Sequence, residues 1–277
     1  MEGTFPTDGY VNNGPVRLHY LDWGGDRLPP MVLLHGMRDS ARSWDIFADS
    51  IKDDFRVLAL DSRGHGDSDW AGSGCYTYQH HVSDVETFFD ALELEGAIIV
   101  GHSAGGRYAW SYAVKNPDRV KALIIVDIDP DPQNAQTARD FSDIAAEPES
   151  WDTLDEFGER LRHRQVYTGE AALRSQAQAV SRQTEDGEYV WKADIRIVTE
   201  YERPDLWDSW GRIACPVLLL RGRQSRLLTH ETAVRMRGVL PASQVRLAEL
   251  EGGGHWFHQD FPGAFEATVR WFLDELG

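Results

Sequence analysis

Short, wholly apolar runs alternate with amphipathic stretches along this chain, a pattern that calls for a parallel sheet covered by helices on both faces. The runs give expected strands at Val16–Trp23, Met31–His35, Phe55–Asp61, Ala97–Gly101, Ala122–Asp127, Val217–Arg221 and Gln244–Leu250. The stretches between them give helices at Tyr78–Glu93, Ala104–Lys115, Thr229–Val239 and Pro262–Leu276. In the last, Phe265, Val269, Phe272 and Leu276 recur at helical spacing, so one apolar stripe meets the sheet.

Residues 130–210 break this rhythm. They open on Asp129-Pro130-Asp131-Pro132, an extended exit that cannot enter a helix at once. Helix-like pieces follow at Trp151–Arg164 and Glu170–Val180, then a turn at Thr184–Gly187 leads into Glu188–Lys192. The expectation is an α/β fold, a mostly parallel doubly wound sheet, with residues 1–129 and 211–277 as its core and 130–210 as an inserted helical cap.

The sharpest local signal is Gly101-His102-Ser103-Ala104-Gly105, placed directly after an apolar strand and before a helix. Such a strand–turn–helix is the setting of a nucleophile elbow, where the serine hydroxyl sits at a helix N-terminus that favours developing negative charge. His35-Gly36-Met37 closes another strand. A tetrahedral intermediate needs two amide donors, and Met37 and Ala104 are placed to supply them. Near the end, Glu251-Gly252-Gly253-Gly254-His255-Trp256-Phe257-His258 lets a glycine-rich loop fold back over the sheet. His255 is preferred over His258 as the base because the glycines immediately precede it.

Taken in order, the His-Gly turn, the Asp61-Ser62-Arg63-Gly64-His65-Gly66-Asp67-Ser68 loop, the elbow, the cap and the Gly-His end resemble the α/β-hydrolase family over nearly the whole chain. The resemblance implies a Ser-His-acid triad, an oxyanion hole at Met37 and Ala104, no cofactor and no metal, with the Arg63–Gly66 turn structural. It also exposes a departure. Most relatives carry the acid after the penultimate strand, where this chain reads Gly222-Arg223-Gln224-Ser225 without a carboxylate. Some relatives instead take the acid from the strand after the nucleophile helix, which here ends in Asp127-Ile128-Asp129. Asp127 is the first choice and Asp129, of the same pleat parity, the second.

A serine nucleophile argues against epoxide opening and dehalogenation, which in the family use an aspartate. It suits acyl transfer, with esters and lactones ahead of carbon–carbon cleavage next to a carbonyl. A cofactor-free oxygenase and a non-catalytic receptor are the remaining alternatives on such a fold. Trp151, Tyr167, Trp191 and Trp256 are expected to line an apolar substrate pocket, although aromatic residues of a cap equally serve as its own core.

Composition trims the partners. The chain holds 45 acidic against 28 basic residues, a formal charge of −17, which argues against nucleic acid as a partner. The start Met1-Glu2-Gly3-Thr4-Phe5 lacks a leader's basic and apolar segments, and no apolar run approaches the roughly 20 residues of a membrane span. A cytoplasmic monomer or homodimer acting on a small apolar ester or lactone is the expectation.

Overall fold

The computed structural model describes residues 6–277, so the opening pentapeptide read for a leader lies outside the described residues. Eight strands form the main sheet: β1 (Thr7–Asn13), β2 (Val16–Asp22), β3 (Pro30–Leu34), β4 (Arg56–Leu60), β5 (Ala97–His102), β6 (Val120–Val126), β9 (Val217–Gly222) and β10 (Val245–Leu250). Two short strands, β7 (Ser181–Gln183) and β8 (Tyr189–Trp191), pair separately as an antiparallel ribbon. The main sheet runs β1-β2-β4-β3-β5-β6-β9-β10, and β2 alone opposes its neighbours; the other pairings are parallel.

Burial explains why the middle strands read as unbroken apolar runs. Every residue of β5 and β9 is buried, because helices cover both faces. Val32 and Leu34 of β3 point into one core layer and Met31 and Leu33 into the other. The first layer is roofed by α2 (Tyr78–Ala91), α3 (Ala104–Lys115), α8 (Trp207–Gly211) and α9 (His230–Val239). The second is roofed by α1 (Asp45–Ile51) and α11 (Pro262–Leu276), whose Phe265, Val269 and Phe272 are fully covered. α11 carries out its expected stripe.

Three elements differ from the sequence reading. β1, Thr-Asp-Gly-Tyr-Val-Asn-Asn, is too polar to announce itself and forms by pairing with β2 at the sheet edge. α4 (Ala135–Ala145) has no counterpart among the expected helices; it buries Ile144 and packs Phe141 partly against the main core, and Asn134 fixes its start by accepting from the Gln136 and Thr137 amides at 3.0 Å. The helix expected from Trp151 begins at Leu154 instead (α5, Leu154–Arg164). Thr153 and Glu156 make a reciprocal capping box there, while Trp151 bridges to the Tyr189 backbone.

Together with α6 (Glu170–Val180), α5 encloses a small separate core of Phe157, Leu161, Leu173, Ala177 and Val180. The end of the inserted segment does not belong to that core. From α7 (Arg196–Thr199) onward, Ile197, Val198, Leu206 and Trp210 pack into the main layer, and Trp210 meets Trp110 edge-on at 5.3 Å.

Candidate active site

Parallel strands deliver their following loops to one edge of the sheet, and ligands of such sheets bind at that carboxyl edge. Here the turns after β3, β5, β6, β9 and β10 bring Met37, Ser103, Asp127, Ser225 and His255 to that edge.

Ser103 sits at φ 51°, ψ −124°, between the last residue of β5 and the first of α3. Few non-glycine side chains tolerate this region, and holding one there costs about 1–3 kcal/mol. Two glycines make it possible. A methyl on Gly101 would lie 2.6 Å from the Gly106 Cα, and one on Gly105 would lie 2.4 Å from the Leu34 carbonyl oxygen. The bend is pinned by the Ser103 amide donating to Val126 at 2.9 Å.

Asp127 follows β6 and is also left-handed, at φ 52°. Its carboxylate is fully buried. Oδ2 accepts from His255 Nδ1 at 2.6 Å and from the Ser225 hydroxyl at 2.5 Å. Ser225 lies in the turn after β9, where the resemblance places the acid, and its hydroxyl hydrogen-bonds the Asp127 carboxylate. The hydroxyl donates, because an ionised carboxylate has no proton to give, and Ser225 Oγ also accepts from the Leu227 amide at 3.1 Å. Burial raises the Asp127 pKa, and the bonds from His255 and Ser225 oppose the rise.

The second sequence choice, Asp129, is occupied elsewhere. Its Oδ1 meets Arg203 at 2.5 Å and the Asp131 amide at 2.8 Å, and its Oδ2 accepts from Asn134 at 2.7 Å. It ties down the chain leaving β6.

His255 ends a loop in which Gly252 takes φ 86° and the Gly253 carbonyl accepts from the Gln224 amide at 3.1 Å. With Nδ1 committed to Asp127, Nε2 is the nitrogen left for a hydroxyl. Ser103 and His255 line one cavity, although the hydroxyl–imidazole bond is not made in this structure. Such bonds are often loose without substrate and tighten on binding.

His102, which carries no role in the sequence motifs, anchors the arrangement by donating from Nε2 to the His255 carbonyl at 2.9 Å. His258 is buried, its ring tilted against Trp44 at 4.7 Å, and burial depresses its pKa to about 3. It is a neutral packing residue.

Met37 and Ala104 line the same cavity. The turn leading to Met37 is stiffened by His35, which accepts the Ser62 amide at Nε2 (3.0 Å) and so carries its proton on Nδ1, donating to the Gly36 carbonyl at 2.7 Å. The Arg63–Gly66 loop is internal scaffolding: Arg63 forks onto Asp84 with two 2.6 Å bonds.

The four expected pocket aromatics separate. Trp256 lines the cavity, and Tyr167 lines an adjoining outer cleft. Trp151 lines neither; it packs edge-on against Phe157 at 5.0 Å, closing the small core between α5 and α6. Trp191 also sits on that core, with the Arg38 guanidinium 3.7 Å above its ring. The cavity wall instead contains Arg107, Arg164 and Arg203, which carry no periodic or motif signal in the sequence.

Two groups have metal-like spacing among the described residues: Asp39 with His102 and His258, and His19 with Asp61 and Asp67. Asp39 and His19 are engaged in protein hydrogen bonds, whereas the Nδ1 atoms of His102 and His258 are buried without a partner among the described residues. Asp39 accepts from Ser40, Gln176 and Gln259, and His19 bridges Asp8 and Asp61.

Comparison with known proteins agrees with this fold. The alpha/beta hydrolase fold model matches residues 29–262. Esterase Rv0045c of Mycobacterium tuberculosis is 30% identical, the match covering 99% of this chain and 91% of that one. Epoxide hydrolase 4 of Mus musculus is 27% identical over 96% of this chain and 78% of its own. The crystal structure of E-2-(acetamidomethylene)succinate hydrolase superposes with a TM-score of 0.87 at 23% identity, covering 97% and 99% of the two chains. The chain belongs to the α/β-hydrolase fold family.

Proposed function

We propose that this protein is a serine hydrolase of carboxylic esters, with Ser103 as nucleophile, His255 as general base and Asp127 as the acid that orients it. The observation that carries the reading is the 2.6 Å bond from His255 Nδ1 to a buried Asp127 carboxylate, beside a serine held at positive φ. In this scheme Ser103 attacks the ester carbonyl and His255 takes its proton. Asp127 fixes the tautomer that leaves Nε2 free as base and stabilises the imidazolium that forms. The amides of Met37 and Ala104 receive the oxyanion. His255 then protonates the departing alcohol, and water enters by the same route to release the acid.

The kinship with an esterase at 30% identity supports this choice. Kinship with a protein named as an epoxide hydrolase does not outweigh it, because Ser103 stands at the elbow where epoxide opening uses an aspartate. In this reading the inserted residues 130–210 form the cap over the substrate, anchored to the main core from α7 onward.

A panel of p-nitrophenyl esters beside a vinylogous diketone tests the proposal. The esters should be hydrolysed, and Ser103→Ala should lower kcat/KM by about three orders of magnitude or more. Turnover of the diketone alone, or undiminished ester turnover by Ser103→Ala, contradicts it.

A further inference from the structure

Arg107, Arg164 and Arg203 line the cavity and Arg38 and Arg160 stand beside it; all of these but Arg164 are spent on protein partners. Arg203 is bonded to Asp129, and Arg107 donates to the backbone carbonyls of Asp129, Asp131 and Pro204. Arg38 and Arg160 share the carboxylate of Glu147, at 2.8 and 2.7 Å, and Trp191 Nε1 donates to it as well.

Arg164, the last residue of α5, is different. It makes no hydrogen bond among the described residues, and its nearest carboxylate, Asp140, stands at 4.0 Å, beyond hydrogen-bond reach. Asp140 is itself engaged by Gln136 at 2.9 Å. Only a fifth of the Arg164 side chain is exposed. Its guanidinium carbon lies 5.5 Å from the ring of Trp256, the residue after His255.

Position gives this group its meaning. The inner cavity holding Ser103 and an outer cleft of about 540 Å³ have Asp140, Arg164, Leu227, His255 and Trp256 in common. Arg164 therefore stands at the throat between them, where an entering substrate must pass and part of it must stay. Its guanidinium nitrogens face the solvent of the cleft rather than a protein partner, so the fork of donors is open to an anionic group that enters. Burial lowers its pKa, and the charges of Asp140 and Glu147 oppose that shift.

Resting on the hydrolase reading above, we infer that the substrate carries a carboxylate and that Arg164 binds it at the throat of the cavity. A planar fork of donors matches a carboxylate in bidentate fashion, which a neutral ester cannot use. Arg164 is thus a specificity residue that selects acid-bearing esters over the purely apolar ones expected from the aromatic content of the segment.

The test measures binding rather than turnover, so it does not depend on whether the site hydrolyses anything. Ser103→Ala protein is titrated calorimetrically with three probes. Monomethyl glutarate carries the charge on the acyl side, O-acetylglycolate carries it on the alcohol side, and dimethyl glutarate is neutral. One charged probe should bind at least about tenfold more tightly than the neutral diester. That advantage should vanish in Ser103→Ala/Arg164→Met and return in part with Arg164→Lys. Whichever charged probe wins identifies the side that bears the carboxylate. Equal binding of all three probes, or an advantage that survives Arg164→Met, overturns the inference. Loss of ester turnover in the parent protein would instead count against the hydrolase reading.

Discussion

At Ser225 a hydroxyl lies 2.5 Å from Asp127 Oδ2, inside a site where burial would otherwise keep the carboxyl protonated more readily. In the proposed triad Asp127 must be ionised to stabilise the imidazolium, which gives the hydroxyl a defined task. Ser225→Ala removes one of the two bonds to Oδ2 and leaves the Leu227 amide without its acceptor. The expected loss of stability is about 1–3 kcal/mol. The same change lets the Asp127 pKa rise further. The acid limb of the kcat/KM profile should then shift to higher pH, and Ser225→Thr should restore it. An unshifted profile in Ser225→Ala would separate this hydroxyl from the chemistry. Much of this site was legible beforehand, because motifs with fixed spacing announce Ser103, His255 and the Met37 turn. The choice of Asp127 over Asp129 followed from its adjacency to an apolar run. Arg164 was not legible, since a guanidinium at a helix end looks like any solvated arginine until the partners around it are counted.

At the scale of elements, the inserted segment behaves as two parts. α5, α6 and the β7–β8 ribbon surround Phe157, which is fully buried, whereas Ile197, Val198 and Trp210 share the main core. Phe157→Ala deletes the centre of the smaller cluster, a change that typically costs about 3–5 kcal/mol. Because that cluster is separate, the loss should be local. Limited proteolysis should open sites within residues 146–192 while the fragment boundaries leave the sheet intact. Cooperative unfolding of the whole chain at an equally lowered temperature would contradict the separation. The sequence failed in this region for a physical reason. α4 spaces Ala138, Phe141 and Ile144 three residues apart, but only two of these side chains are large and only Ile144 is buried, so the stripe is short and easily read as part of the extended exit. The aromatic residues were visible, but Trp151 could not be told apart from a pocket residue, because filling a small core and lining a pocket use the same side chains.

Over the whole molecule, four histidines, His65, His81, His102 and His258, are buried and held neutral, with burial the main cause in each. Their pKa values lie below that of an exposed imidazole, at about 3 for His65 and His258. Between there and roughly 6.5 the unfolded chain binds more protons than the folded one, so stability is present above the unfolded value and is lost as pH falls. Each such group adds a slope of up to about 1.4 kcal/mol per pH unit below the unfolded value. Burial raises the carboxyl pKa values of Asp39 and Asp127, which favours the fold toward acid and offsets part of this loss. The expected outcome is a thermal midpoint that falls steadily from pH 7 to pH 5. A midpoint independent of pH over that range would contradict the neutral histidines.

The edge of the sheet collects Ser103, His255 and Asp127 from three separate loops, and their cooperation as a nucleophilic unit is the central claim. The direct measurement is intact-protein mass after exposure to a fluorophosphonate, followed by peptide mapping. The account predicts one adduct, on Ser103, formed quickly by the parent protein and slowed by about four orders of magnitude in Asp127→Asn. An adduct on another residue, or undiminished labelling in Asp127→Asn, would contradict it.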